Sequence, residues 1–370
     1  MATTAPDQTT QLISLLYNLA FPIFYIFFIL YSQKIQVRMW LSDIEKSLRK
    51  LKTMKDSTKE ITVKALKETG KTAEDLMPRL DQMMEFVLIE PVSMDPAGVV
   101  GKLEHLLHVE EDRFKEDIKL MAPTVNEVQL NNLSNLVEVA LAMNTIYRVI
   151  RHFYTQGKRT MSLYLIMQVQ MIMPQVMEMA ESYSKAATTI AEGQPLGDAA
   201  GAMVAAKLMY GQSNKIVAKE TVMAEVPFEG RNLLVLKAQG PGGTVGRPGE
   251  AIVNAIEEKN GQIAMLIMVD AGLKLEGEKS GEVFEGIGAA IGGPGVDKYQ
   301  IEEVITKYKI PANAIIIKES TVEAISTMKK PITVGVDDAV QRIKRLIKEK
   351  TKEGDVIVVA GIGNTIGVAQ

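Results

Sequence analysis

No charged residue stands between Asp7 and Lys34. The heart of this stretch is LISLLYNLAFPIFYIFFILY at residues 12–31. About 20 apolar residues suffice for a helix to cross the hydrocarbon core of a bilayer. Tyr17, Tyr25 and Tyr31 suit the two interfaces, and Pro22 is tolerated within such a helix. A cleavable signal peptide would carry positive charge before the apolar run. Here the charge follows it, as Lys34, Arg38, Lys46, Arg49, Lys50, Lys52 and Lys55. The distribution of Lys and Arg predicts a transmembrane helix with the amino terminus outside and everything from Lys34 onward in the cytoplasm. The competing reading is a core helix buried in protein.

The region 33–192 reads as helical throughout. Trp40, Ile44, Leu48 and Leu51 recur at helical spacing, with Lys and Glu between them. Near a bilayer, the first turns of this basic amphipathic helix would meet anionic membrane lipid. Further helices are expected at 73–89, 98–121 and 125–155, broken by Pro91, Pro96 and Pro123. A second apolar run at 161–180 contains six Met, with Gln168, Gln170, Gln175 and Glu178 among them. Those polar residues argue against a second span. The run is expected as a helix buried in a helical layer or in the interface of a homo-oligomer.

Glycine marks the next boundary, since 24 of the 28 glycines lie from Gly193 onward. From there the pattern changes to short apolar runs at 221–226, 233–238, 263–269, 314–317 and 356–360. They alternate with helical patterns at 199–210, 248–259, 299–307, 322–328 and 338–353. The expected fold is α+β overall. It has three parts: a transmembrane helix within residues 1–32, a helical domain at 33–192, and a three-layer αβα domain with a mostly parallel sheet at 193–370.

Composition removes several chemistries. There is no Cys, so disulfides, thiolate metal sites and Cys nucleophiles are absent. The three His (105, 108 and 152) all precede the glycine-rich half. A net charge of −3 carries no polyelectrolyte signature, so no nucleic acid is implied as a partner.

Three segments of the glycine-rich half carry candidate chemistry. The strand pattern at 263–269 ends in Asp270, and ligands of open α/β sheets sit beyond the carboxyl ends of strands. Asp198 stands at the expected start of a helix, where a carboxylate also serves as a cap. The run VIVVAGIGNTIGVAQ at 356–370 is a strand core followed by Gly361, Gly363, Asn364 and Thr365, which suggests a ligand-binding loop or part of the core. A further glycine loop at 239–249 has Arg247 beside an expected helix start, but it lacks the P-loop and dinucleotide fingerprints.

GIGNT at 361–365, GDAAGAMVA at 197–205 and VDAG at 269–272 together resemble hydrogenase-maturation endopeptidases and the spore-germination endopeptidases of the same αβα fold. The GIGN segment opens those proteins and lies late here, as in a circular permutation. The resemblance implies a hydrolase in which Asp198 and Asp270 are catalytic carboxylates and metal ligands. Their third ligand is a His, and this chain has none after His152. An all-oxygen set of Asp198, Asp270 and Glu276 or Glu278 would suit a divalent cation as cofactor. A metal-free pair of aspartates sharing a proton is the other option. The whole chain also resembles an uncharacterised family of archaeal single-span membrane proteins, through RPG at 247–249, KLEGE at 274–278 and GNT at 363–365.

Two functions therefore stand side by side. One is a membrane-anchored, cytoplasm-facing hydrolase, a peptidase acting on a protein substrate. The other is a homo-oligomeric membrane scaffold without catalysis. A nucleotide or small-ligand sensor built on the glycine loops lacks a specific fingerprint.

Overall fold

The computed structural model describes residues 8–69, 72–85, 91 and 98–369. The end of the helix expected at 73–89 and Pro96 lie outside the described residues. The chain divides into two compact units, Met1–Thr53 with Thr145–Met177, and Met54–Asn144 with Glu178–Gln370.

The first unit contains most of α1 (Gln8–Lys67), the end of α4 (Glu127–Thr160) and the start of α5 (Leu163–Ala191). Among the described residues, α1 is the one helix long and apolar enough to cross a membrane. Its apolar side chains stand exposed, Phe24 at 66% and Phe28 at 59%. Further along, Ile44 and Leu51 of the expected periodicity are buried, Trp40 and Leu48 are half-buried, and Val37 and Leu41 complete the inward face. Tyr154 donates to Glu45 Oε2 at 2.8 Å, and Arg49 pairs with the other oxygen of Glu45 at 2.8 Å. The methionines of α5 and the turn before it divide, with Met173 buried and Met161 and Met171 exposed.

The second unit opens with a helical layer. Val63 and Leu66 of α1 pack with Leu76 and Leu80 of α2 (Ala73–Met83), Ile118 of α3 (Val99–Met121) and Leu133 of α4. The sheet follows in the same unit. Its strands are β1 (Asn214–Ala218), β2 (Thr221–Phe228), β3 (Arg231–Ala238), β4 (Met265–Leu273), β5 (Val283–Ile287), β6 (Ala312–Glu319) and β7 (Val356–Gly361), in the order β1-β2-β3-β7-β4-β6-β5. β7 lies inside the sheet, parallel to both neighbours, with Val359 opposite Val235 and Ile267.

The sheet is mixed, not mostly parallel as the alternation had suggested. Only the centre, β3-β7-β4-β6, is parallel. β1, β2 and β5 pair antiparallel. Tight turns decide this on one side. Glu229 and Gly230 both have positive φ, the geometry of a two-residue hairpin turn, and Glu220 has positive φ in the preceding turn. Neither turn carries the Asn-Gly or Asp-Gly spelling that announces such hairpins.

Strand alternation sorts the core onto the two faces of the sheet. Val235, Ile267, Val269, Ile317 and Val359 pack with α6 (Ala200–Met209) and α10 (Lys330–Lys350). Leu234, Leu266, Met268 and Val358 pack with α7 (Pro248–Glu258) and α8 (Val296–Tyr308). The helix expected at 322–328 is the single turn α9 (Thr321–Ala324). α10 begins eight residues before its expected start at 338, because Ile332 and Val336 are fully buried beneath the sheet despite their β-favouring side chains.

One contact sets how close α6 comes to the sheet. A Cβ on Gly201 would stand 2.3 Å from the carbonyl oxygens of both Val269 and Ile362. Gly201→Val should therefore destabilise the unit by about 3 kcal/mol or more. Denaturant unfolding of the variant tests this, and a wild-type midpoint would refute it.

Candidate functional site

The carboxyl ends of β3, β7, β4 and β6 share one edge of the sheet. Asp198 reaches this edge from a 3-10 turn, Gly197–Ala199, that leads into α6. Its Oδ2 accepts the N–H of Asn364 at 2.8 Å. Burial raises the Asp198 pKa, and that N–H bond offsets part of the rise. Gly363 makes room, since a Cβ there would lie 2.0 Å from the Asp198 carbonyl oxygen.

Asp270 falls in β4 opposite Ile316 of β6. It is 9% exposed. Burial and the charge of Asp198 push it up to about 7, against the N–H groups of Ala271 and Gly292. The bond to Gly292 ties it to the glycine loop that precedes α8.

Glu319 is the residue that sequence reasoning missed. It ends β6 as Asp270 nears the end of β4, and only 2% of it is exposed. Neither carboxylate oxygen has a hydrogen-bond partner. Burial, then the charges of Asp198, Glu323 and Asp270, push it up to about 8. The signal was present, a carboxylate closing an apolar strand, but Lys318 interrupts the run one residue earlier. Glu323 beside it behaves in the opposite way. Burial works against its charge, yet bonds from Ser320, Ser280 and Lys329 hold it down at about 2.

Asp198 and Glu319 line one cleft of about 190 Å³ with Ala271, Leu273, Ser320 and Ala324. Asp270 does not line it. Successive residues of a strand face opposite sides, so Ala271 turns into the cleft and Asp270 turns toward Gly292. The three carboxylates are thus electrostatic neighbours on one edge, with two of them in the cleft.

The other expected site residues divide. Gly361 packs against α6, where a Cβ would meet the Gly201 carbonyl oxygen at 2.2 Å. Asn364 donates from its side chain to Asn135 of α4 at 2.8 Å. Thr365 is fully buried, and its hydroxyl lies 2.8 Å from the Gly242 carbonyl and 2.9 Å from that of Thr244. With Gly363, these residues brace the site and hold the 239–249 loop. Glu276 is exposed in the turn after β4, outside the cleft. Among the described residues no three His, Asp or Glu are grouped to hold a metal ion. The set Asp198, Asp270 and Glu276 is therefore not assembled as a cation site. Lys237, also unforeseen, is buried near the end of β3 opposite Gly361. It donates to the Ala238 carbonyl at 2.9 Å, and burial pushes it down to about 8.

Fold and site define a protein with a helical amino-terminal region and a mixed-sheet domain that carries buried carboxylates on its parallel edge. The chain belongs to the DUF1512 family: a model described as protein of unknown function (DUF1512) N-terminal domain matches residues 18–193, and one described as domain of unknown function (DUF1512) C-terminal matches residues 196–369. No curated protein matches the chain.

Glu319 gives the site a pH signature. A carboxyl whose folded pKa is raised lends full stability below its unfolded value, near 4.5, and loses it as pH rises through about 8. Glu319→Gln should flatten the fall in unfolding free energy between pH 5 and pH 8 by about 1–3 kcal/mol. Denaturant titrations at the two pH values measure this, and identical slopes in variant and parent would refute it.

Proposed function

We propose that the protein is a membrane-anchored hydrolase whose acid–base pair is drawn from the carboxylates of the sheet edge, acting on a protein substrate. The observation that carries this reading is Asp270 buried in β4 on the edge that Asp198 reaches, where burial and that neighbour push it up to about 7. Two neighbouring carboxylates do not both ionise readily, so one holds a proton at neutral pH while the other is charged. Asp198 has the Asn364 N–H to stabilise its charged form and is the base. It takes a proton from water as the new C–O bond forms at the substrate carbonyl. Asp198 then returns that proton to the leaving nitrogen as the C–N bond breaks, while Asp270, protonated and turned toward Gly292, leaves Asp198 the charged member of the pair. The described residues offer no three-ligand set for a metal.

The peptidase-like segments at 197–205, 269–272 and 361–365 support the same reading. They meet at one edge through β4, β7 and the turn before α6. The two cores on opposite sheet faces support a three-layer αβα description. The exposed apolar stretch of α1 supports a single lipid-embedded span, with the amino terminus outside and the sheet domain in the cytoplasm.

The scaffold reading draws on a specific observation of its own. Asp198 and Asn364 join α6, the loop after β7 and α4 in one hydrogen-bonded brace, and the cleft beside them is small. In that reading, exposed Tyr164, Met171 and Ile172 of α5 serve contacts between copies in a homo-oligomer.

Mass-spectrometric analysis of a peptide library incubated with the full chain separates the two. Cleavage by the parent protein, reduced about 100-fold or more in Asp198→Asn with an unchanged melting temperature, is expected for the hydrolase. Equal cleavage by the variant would remove Asp198 from the chemistry, and no cleavage by the parent leaves the scaffold. Protease added to sealed right-side-out vesicles should spare the sheet domain, and its digestion would overturn the orientation.

A further inference from the structure

The Asp198–Glu319 cleft has an unusual supply of acceptors. Glu319 is 2% exposed, and both its oxygens lack a partner. Asp198, which lines the same cleft, accepts the Asn364 N–H on Oδ2. The donors nearby are committed elsewhere. Ser280, the Ser320 N–H and Lys329 all serve Glu323. Lys318 donates to the Leu273 carbonyl and pairs with Glu278. Gly197 comes so close that a Cβ would stand 2.5 Å from Glu319 Oε2, yet its N–H goes to the Ser326 carbonyl. A buried carboxylate without donors is costly. Here it is surrounded by donors that the fold has directed to its neighbour.

The geometry points to a bound primary alkylammonium group: we propose that the Asp198–Glu319 cleft recognises the amine of a substrate. Two of the ammonium's N–H donors match Oε1 and Oε2 of Glu319, which no protein donor takes, and the carboxylate of Asp198 beside them adds negative charge. Ala271, Leu273 and Ala324 supply an apolar wall for the methylene stem. A cleft of about 190 Å³ suits a head group better than a whole ligand. A hard divalent cation fits less well. It takes six or more oxygens, and no group of three ligating side chains is present among the described residues. The inference deepens the hydrolase reading by naming a substrate group and rests on it for the link to cleavage, although amine binding needs no turnover.

Burial holds a proton on Glu319 at neutral pH, so an arriving ammonium must displace it. Binding should therefore release close to one proton. Isothermal titration of the full chain in detergent at pH 7, in two buffers of different ionisation enthalpy, reads both affinity and proton release. The probe is n-butylammonium, with choline as the control that lacks N–H donors.

Butylammonium should bind at about millimolar Kd with proton release, and choline should not. Glu319→Gln should weaken binding about tenfold or more and abolish the release. Ala324→Leu, which narrows the cleft without touching a carboxylate, should weaken it as well and covers the case in which the first variant fails to fold. Further arms with N-acetyl-lysine amide, glycinamide and putrescine assign the amine to a lysine side chain, a peptide amino terminus or a free polyamine by which binds most tightly.

Equal binding of choline, binding without proton release, or indifference to both variants would overturn the proposal. So would magnesium or calcium binding more tightly and displacing the amine. Amine binding with no peptide cleavage would remove the hydrolase alone.

Discussion

Strand β7 is hydrogen-bonded on both sides, to β3 and to β4, and the candidate site is arranged around it. Its end at Gly361 has no side chain, so Gly201 of α6 reaches the backbone at van der Waals limits. That approach brings the turn carrying Asp198 over the strand ends. The next residues, Gly363 and Asn364, fold back onto Asp198, and Thr365 pins the 239–249 loop. Ile366 then packs with Leu136 of α4 and Ile190 of α5, in the helical layer of the same unit. A side chain at either Gly201 or Gly361 would push α6 away and dissolve the alignment.

The same closeness governs the electrostatics. Carboxylates at strand ends ordinarily reach water. Here α6, α9 and the loop before α8 cover them, and desolvation is the first cause of the raised pKa at Asp198, Asp270 and Glu319. Glu323 escapes the trend because three donors point at it. Glu319 at about 8 and Glu323 at about 2 differ in hydrogen-bond supply and in the charges beside them, three carboxylates for Glu319 and the Lys329 ammonium for Glu323. A fold that makes such neighbours so unlike has the ingredients for acid–base chemistry, and equally for holding a cationic group.

Much of this was legible in the residues. The uninterrupted run at 263–269 reads as a strand covered on both faces, and β4 covers most of it. The scarcity of glycine before residue 193 separated helix from sheet. Asp198 and Asp270 were placed on one edge by position alone, one before a helix and one at a strand end. β1 and β5 were not found, because NKIVA and VFEGI are short, largely exposed and poor in the alternation that marks a strand. Glu319 was passed over for its neighbour Lys318, and Lys237 because a lysine within an apolar strand reads as a surface residue.

The sequence by itself determined the periodicities: which segments are helix or central strand, and where apolar surface must be covered. These are local properties, set by side-chain spacing along one chain. Only the tertiary structure decided that β7 sits between β3 and β4, that Ala271 and not Asp270 enters the cleft, and that Glu276 stays outside it. It alone decided that Glu319 lacks donors while Glu323 has three. Such outcomes depend on register and on the close approach of distant backbone, and no spacing within a single segment encodes them.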